Sequence, residues 1–138
     1  MTSAHFYILT KDASPQGAYR LACRLAEKAF LQQLRVYIQV ASPEVSLELD
    51  ELLWSFRDSS FVPHGVGDDS PICISHAVHE PEGRYDVLIN LSFQLPSFHG
   101  QFDRIVEIVT ADTSIRQQAR ERYALYRQLG YPLQTHEV

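Results

Sequence analysis

A chain of 138 residues with 45% apolar and 21% charged content suits one domain, residues 1–138, with one core, and that composition excludes a disordered or fibrous polymer. No apolar run approaches the roughly 20 residues of a bilayer-spanning helix, and MTSAHFYILTKDASPQ has no basic residue ahead of its short apolar run, so it does not read as a secretory leader. The formal net charge is −5, divided into −7 over residues 1–112 (8 basic, 15 acidic) and +2 over residues 113–138 (4 basic, 2 acidic), and so acidic a body argues against broad, sequence-independent DNA binding.

AHFYILT (4–10) is aromatic and β-branched and predicts a strand. PQGAYRLACRLAEKAFLQQL (15–34) repeats Ala18, Leu21, Ala22, Leu25, Ala29 and Phe30 at helical spacing, with Arg20, Arg24, Glu27 and Lys28 on the other side, which predicts an amphipathic helix. RVYIQVA (35–41) predicts a second strand. Ser42-Pro43-Glu44 then supplies a capping hydroxyl, a proline at the first helical position and an acid near the positive end, so a second helix is expected from Pro43 to Trp54 or Phe56. RDSSFVPHGVGDDSP (57–71) predicts a loop. ICISHAV (72–78), YDVLINLS (85–92) and DRIVEIVT (103–110) predict strands, the middle one apolar enough for a central position, and LPSFHGQF (95–102) predicts a short broken helix. Asp112, Thr113 and Ser114 are three candidate caps for a last helix, which Gly130 and Pro132 end. Strands alternating with helices imply an open, mostly parallel, twisted α/β sheet flanked by helices, a Rossmann-like arrangement.

Such a sheet invites a search for a nucleotide site, but neither G-x-x-x-x-G-K-[ST] nor G-x-G-x-x-G occurs. The turn after the first strand, TKDASPQGAYR, has one glycine, with Lys11 before it rather than after, and Gly65-Val66-Gly67 is followed by two acids that repel phosphate. No cofactor is expected. Of the six histidines (His5, His64, His76, His79, His99 and His136), His76-x-x-His79 has a chelating look, yet i and i+3 point to opposite faces of a strand and no cysteine joins in zinc-like spacing. No metal is expected. Ser75-His76 lacks the G-x-S-x-G context of a nucleophile elbow. Glu48, Asp50 and Glu51 read as a solvated helix face, and Cys23 and Cys73 as buried free thiols of a reducing cytoplasm. An enzyme-like fold type with no recognisable catalytic machinery favours a binding or adaptor role. The alternatives are an α/β nucleotide-binding or enzyme domain with a degenerate motif, and a direct single-stranded DNA binder.

Two stretches read as surfaces. In IRQQARERYALYRQLGY (115–131), at 100° per residue, Arg116, Arg120, Tyr123 and Arg127 share a stripe about 60° wide. It borders an apolar stripe of Ile115, Ala119, Tyr126 and Leu129. Arginine forks at the mouth of a shallow pocket suit a carboxylate, so an acidic peptide with an apolar end and a free carboxylate is a complementary ligand. A plainly solvated face is the other reading. Arg122 falls in the apolar stripe and is expected to pair with a buried acid or carbonyl. In LLWSFRDSSFVPHG (52–65), Trp54 and Phe61 are either core anchors or an exposed patch for a protein partner.

Taken together, the N-terminal FYIL strand, the LLW…SFVPH segment and the QARERYALYRQLGY helix resemble the chi subunit family of bacterial DNA polymerase III holoenzyme, over nearly the whole chain and in the same order. The resemblance implies a non-catalytic, cytoplasmic accessory subunit of the clamp-loader complex that meets DNA mainly indirectly. It implies a psi subunit as one partner, the acidic C-terminal tail of single-stranded-DNA-binding protein as another, and, in some members, a DNA-repair helicase competing for the psi surface. Carried over by motif, the tail site is Arg116, Arg120, Tyr123 and Arg127 with Val109 at the preceding strand end, Arg120 being the main anchor for the terminal carboxylate. The psi surface includes Trp54 and Phe61. The chain departs at Ala124, a position that can be basic in the family, at Gln128, which can be apolar, and in the short loop 65–71.

Overall fold

The computed structural model of the protein describes residues 2–55, 63–67, 70–77 and 80–138. In chain order the elements are β1 (Ser3–Ile8), α1 (Pro15–Leu31), β2 (Val36–Gln39), α2 (Pro43–Ser55), β3 (His64–Val66), β4 (Ile72–Ser75), β5 (Val87–Asn90), a 3₁₀ turn (His99–Gln101), β6 (Arg104–Val109), α3 (Thr113–Gln128) and β7 (Leu133–Glu137). Among the described residues, seven strands form one sheet in the order β3-β4-β2-β5-β6-β1-β7. Every neighbouring pair runs parallel. The Rossmann-like α/β reading holds, and the sheet is parallel throughout.

The period-two alternation of the strands sorts their side chains into two cores. On one face Val36, Ile38, Ile72, Ile74, Val87, Ile89, Val106 and Ile108 meet the inner sides of α1 and α2. The buried side of α1 is rich in alanine (Ala18, Ala22, Ala26 and Ala29), so little side-chain bulk stands between helix and sheet. On the other face Ala4, Phe6, Leu88, Ile105 and Val109 meet α3 through Tyr126, and aromatic rings of the 95–102 segment and Tyr37 continue that core. α1 begins with Ser14 as cap and Pro15 at its first turn, and the Ser14 hydroxyl accepts from the Gly17 N–H at 3.2 Å. It stops at Leu31, three residues short of the sequence expectation. Gln33 takes a positive φ of 66° there and turns the chain toward β2.

Two strands lie where the sequence suggested none. β3 falls inside the expected loop 57–71 and pairs with β4 through His64, Gly65 and Val66. β7 follows the end of the last helix and pairs with β1, Ala4 opposite Leu133 through Ile8 opposite Glu137. Both are edge strands, so half their backbone groups face outward and their side chains are mostly polar or small. The expected helix at 95–102 reduces to the 3₁₀ turn. Both cysteines are buried thiols, in no disulfide among the described residues, and burial pushes the Cys23 thiol up to about 12.

Candidate peptide-binding groove on the last helix

α3 starts four residues after β6 ends, so the carboxyl end of β6 lies under the helix N-terminus. Of the three candidate caps, Asp112 is the one used. Its carboxylate accepts from the Ser114 N–H at 3.1 Å and from the Ser114 hydroxyl at 3.0 Å, where the helix dipole favours negative charge. Tyr126 is fully buried, and Ile115 and Ala119 pack on the same core. Leu129, expected in this stripe, is 47% exposed. It stands at the C-cap, where α3 ends.

The basic stripe sits beside that buried line and overhangs the sheet. Arg116, Ala119, Arg120 and Tyr123 from α3 line a groove of about 560 Å³ with Val109 of β6, Phe6 and Ile8 of β1, Thr10, and Thr135 of β7. The floor is apolar: Phe6 and Val109 are buried. The Tyr123 ring stands over Phe6, centroids 5.4 Å apart and tilted by 56°, with 38% of the residue exposed. Arg116 is held at the mouth by its Nε, which donates to the Thr110 carbonyl at 3.4 Å. Arg120 is exposed and donates from Nη1 to the Gln117 side chain at 3.3 Å. Among the described residues neither arginine has an acidic partner. The fold thus brings Arg116, Arg120, Tyr123 and Val109 around one concavity. Arg127, one turn further on, is exposed and outside the groove lining. Phe6, Ile8, Thr10 and Thr135 are groove residues that the helix pattern did not reveal. The alternation of β1, which puts Phe6 and Ile8 on the α3 side, was the available signal.

Arg122 points the other way, into the protein. Its Nη1 donates to Glu107 Oε1 at 2.8 Å and its Nη2 to the Ser92 carbonyl at 3.0 Å. Glu107 is 3% exposed. Its second oxygen accepts from the Tyr126 hydroxyl at 2.6 Å and from Asn90 Nδ2 at 3.2 Å. Burial pushes the Glu107 carboxyl up, while the Arg122 charge and the bonds from Tyr126 and Asn90 oppose that shift. Burial and the Glu107 charge raise the Tyr126 phenol in turn. The expectation of a buried acid for Arg122 is met. This cluster fixes how α3 sits on β5 and β6, and with it the line of Arg116, Arg120 and Tyr123.

At the opposite end of the sheet, Trp54 is 58% exposed near the end of α2 and is not a core anchor. Its ring meets the His64 ring edge-on, centroids 4.8 Å apart. Leu47, seven residues earlier on the same helical side, is 63% exposed. Phe61 lies outside the described residues, as does His79. The exposed His76 comes no closer than 3.5 Å to Ser46 Oγ. Among the described residues no group of three or more metal-ligating side chains occurs, and no helix is long and apolar enough to cross a membrane. The positive end of α1, where a phosphate would bind in a nucleotide site, faces an acid of its own chain. Asp12 accepts from the Ser14 N–H at 2.9 Å and from its hydroxyl at 2.6 Å, and a side chain at Gly17 would collide with that carboxylate.

Fold and groove together define a class: a Rossmann-like α/β domain whose prepared surface is a cationic, aromatic-walled groove on its last helix in place of a phosphate cradle. The family model described as DNA polymerase III chi subunit, HolC, matches residues 1–134. A DNA polymerase III subunit chi from Pseudomonas aeruginosa is 41% identical over 140 residues, covering 100% of this chain and 98% of the relative. Those from Haemophilus influenzae and Escherichia coli are 36% and 32% identical, each over 97% of the relative. The chain belongs to the DNA polymerase III chi subunit family, whose members are accessory subunits in DNA replication.

Proposed function

We propose that this chi family member is a non-catalytic adaptor at the cytoplasmic replisome, joining the clamp-loader complex to single-stranded-DNA-binding protein. The acidic C-terminal tail of that protein would lie in the α3 groove. The observation that carries this reading is the convergence of two arginines with no acidic partner among the described residues, Arg116 and Arg120, with Tyr123 above an apolar floor of Phe6, Ile8 and Val109. An Arg fork donates two parallel bonds to a terminal carboxylate, and each charge-assisted bond contributes roughly 1.5–3 kcal/mol when well placed. A few such contacts on an open groove give micromolar binding, about −8 kcal/mol. That strength suits a contact that must release, and several tails on one partner restore avidity. Arg127 extends the cationic line beyond the groove, where acidic residues further up the tail would pass.

The psi subunit would dock on the opposite end of the sheet, around Trp54 and Phe61, with the exposed Leu47 and Trp54 as apolar anchors. A DNA-repair helicase using the same surface would compete with psi and not with the tail. Titrating an acidic peptide with an apolar, free-carboxylate end into the wild-type chain and into Arg120→Ala tests the tail site. At least a tenfold loss of affinity in a folded variant is expected, and equal affinity would remove Arg120 from the site.

A further inference from the structure

The groove has a second wall, formed by Thr135 of β7, and an acid stands just beyond it. β7 runs beside β1 with Thr135 opposite Phe6 and Glu137 opposite Ile8. Thr135, Phe6 and Ile8 all line the groove. Side chains two residues apart on a strand share a face, so Glu137 stands on the groove side of β7, one position beyond Thr135 and next to Ile8. It is exposed, and among the described residues it makes no ion pair. The acids on α3 and at its start are otherwise engaged or turned away: Asp112 is bound to Ser114, and Glu121 falls about 160° round the helix from Tyr123.

We propose that Glu137 is a specificity-determining residue of this groove, restricting the negative charge of a bound peptide to the α3 side. The proposal rests on the peptide-binding reading above. With Arg116 and Arg120 on the helix wall and Glu137 at the rim beyond the strand wall, a peptide carboxylate is attracted toward the helix and repelled from β7. A peptide with acids beside the strand wall loses affinity, and one with neutral or basic residues there does not. Selectivity of this kind comes from a built-in repulsion rather than from added attraction. At a separation of about 8 Å in water, each facing acid costs roughly twofold in affinity, and the effect fades once salt shortens the screening length to a few ångströms.

The test uses the full chain and two synthetic peptides that share an apolar last residue and a free carboxylate. One carries three aspartates before that residue and the other carries three asparagines. Affinities are measured by calorimetry at low and high salt for wild type, Glu137→Gln, Glu137→Lys and Arg120→Ala. Glu137→Gln is expected to tighten the aspartate peptide roughly two- to fourfold and to tighten the asparagine peptide, whose one carboxylate is its terminus, by less. Glu137→Lys is expected to widen that difference, and high salt to erase it. If the ratio between the peptides is the same in all three Glu137 forms while Arg120→Ala still weakens binding, Glu137 does not face the ligand and the proposal is overturned. If Arg120→Ala also has no effect, the groove itself is not the site, and the proposal falls with the reading beneath it.

Discussion

Replacing Arg122 by methionine removes a guanidinium from the Glu107 cluster and leaves a carboxyl that is 3% exposed without its charged partner. The apolar stem is largely preserved, so the loss is electrostatic more than steric. Breaking a buried pair in this way costs about 3–5 kcal/mol, because the remaining charge stays desolvated. At roughly 2.1 cal/mol/K per residue, a domain of this size would lose about 10–17 °C in Tm. The pH dependence identifies the cause. Burial already holds the Glu107 carboxyl above its ordinary value, and Arg122 is the strongest opposing influence; without it the folded-state value rises further. A carboxyl with a raised folded value is most favourable to folding below its unfolded value, about 4.3, and loses that contribution as pH rises through the folded value. The deficit of Arg122→Met relative to wild type should therefore be small near pH 4 and full at pH 7. Denaturant unfolding of both chains across that range measures it. A deficit under about 1 kcal/mol at pH 7, or one that does not change with pH, would refute the role assigned to this pair.

Other expectations follow from separate parts of the molecule. Trp54→Ala should abolish co-purification with psi while leaving tail-peptide affinity within twofold, since the Trp54 end of α2 and the α3 groove are on different elements; loss of both activities would show that the two surfaces are not independent. His5 Nδ1 and His136 Nε2 lie 3.2 Å apart, joining β1 to β7, and burial, then Arg104 and His136, hold His5 below its ordinary value. A lowered histidine favours folding above its unfolded value, about 6.5, and that contribution is lost as pH falls toward the folded value. Thermal stability should thus drop between pH 7 and pH 5, less so in His5→Asn, and equal profiles for the two chains would exclude this pair as the cause. Arg120→Ala, finally, should keep wild-type unfolding behaviour despite its loss of tail binding, because its side chain is exposed and, among the described residues, hydrogen-bonds to the exposed Gln117; a large fall in Tm would mark it as structural.

The long amphipathic segments were legible in the sequence because one face of each is continuous: α1 through Leu21, Ala22 and Ala29, and α3 through Ile115, Ala119 and Tyr126. The inner strands were legible for a related reason. β5 is buried on both faces, so VLIN needs no alternation. β3 and β7 were not legible. His-Gly-Val is three residues long, and Gln134, Thr135, His136 and Glu137 are all polar or ionisable, so neither carries a local strand signal; their pairing with β4 and β1 decides them. The same division runs through the groove. Its helical wall could be read from spacing, and Arg122 betrayed a buried partner by falling on the apolar side. Its floor and strand wall come from Phe6, Ile8 and Thr135, more than a hundred residues apart in part, which only the parallel pairing of β1 with β7 brings together.

In the function proposed above, the α3 groove reads a peptide's terminal carboxylate. The direct measurement is calorimetric titration of the wild-type chain with one acidic, apolar-ended peptide prepared with a free and with an amidated C-terminus. Amidation removes one negative charge and its paired bonds to arginine, so the amidated form should bind at least tenfold more weakly, with the gap narrowing as salt is raised. Equal affinity of the two forms would show that the α3 groove does not read the terminal carboxylate.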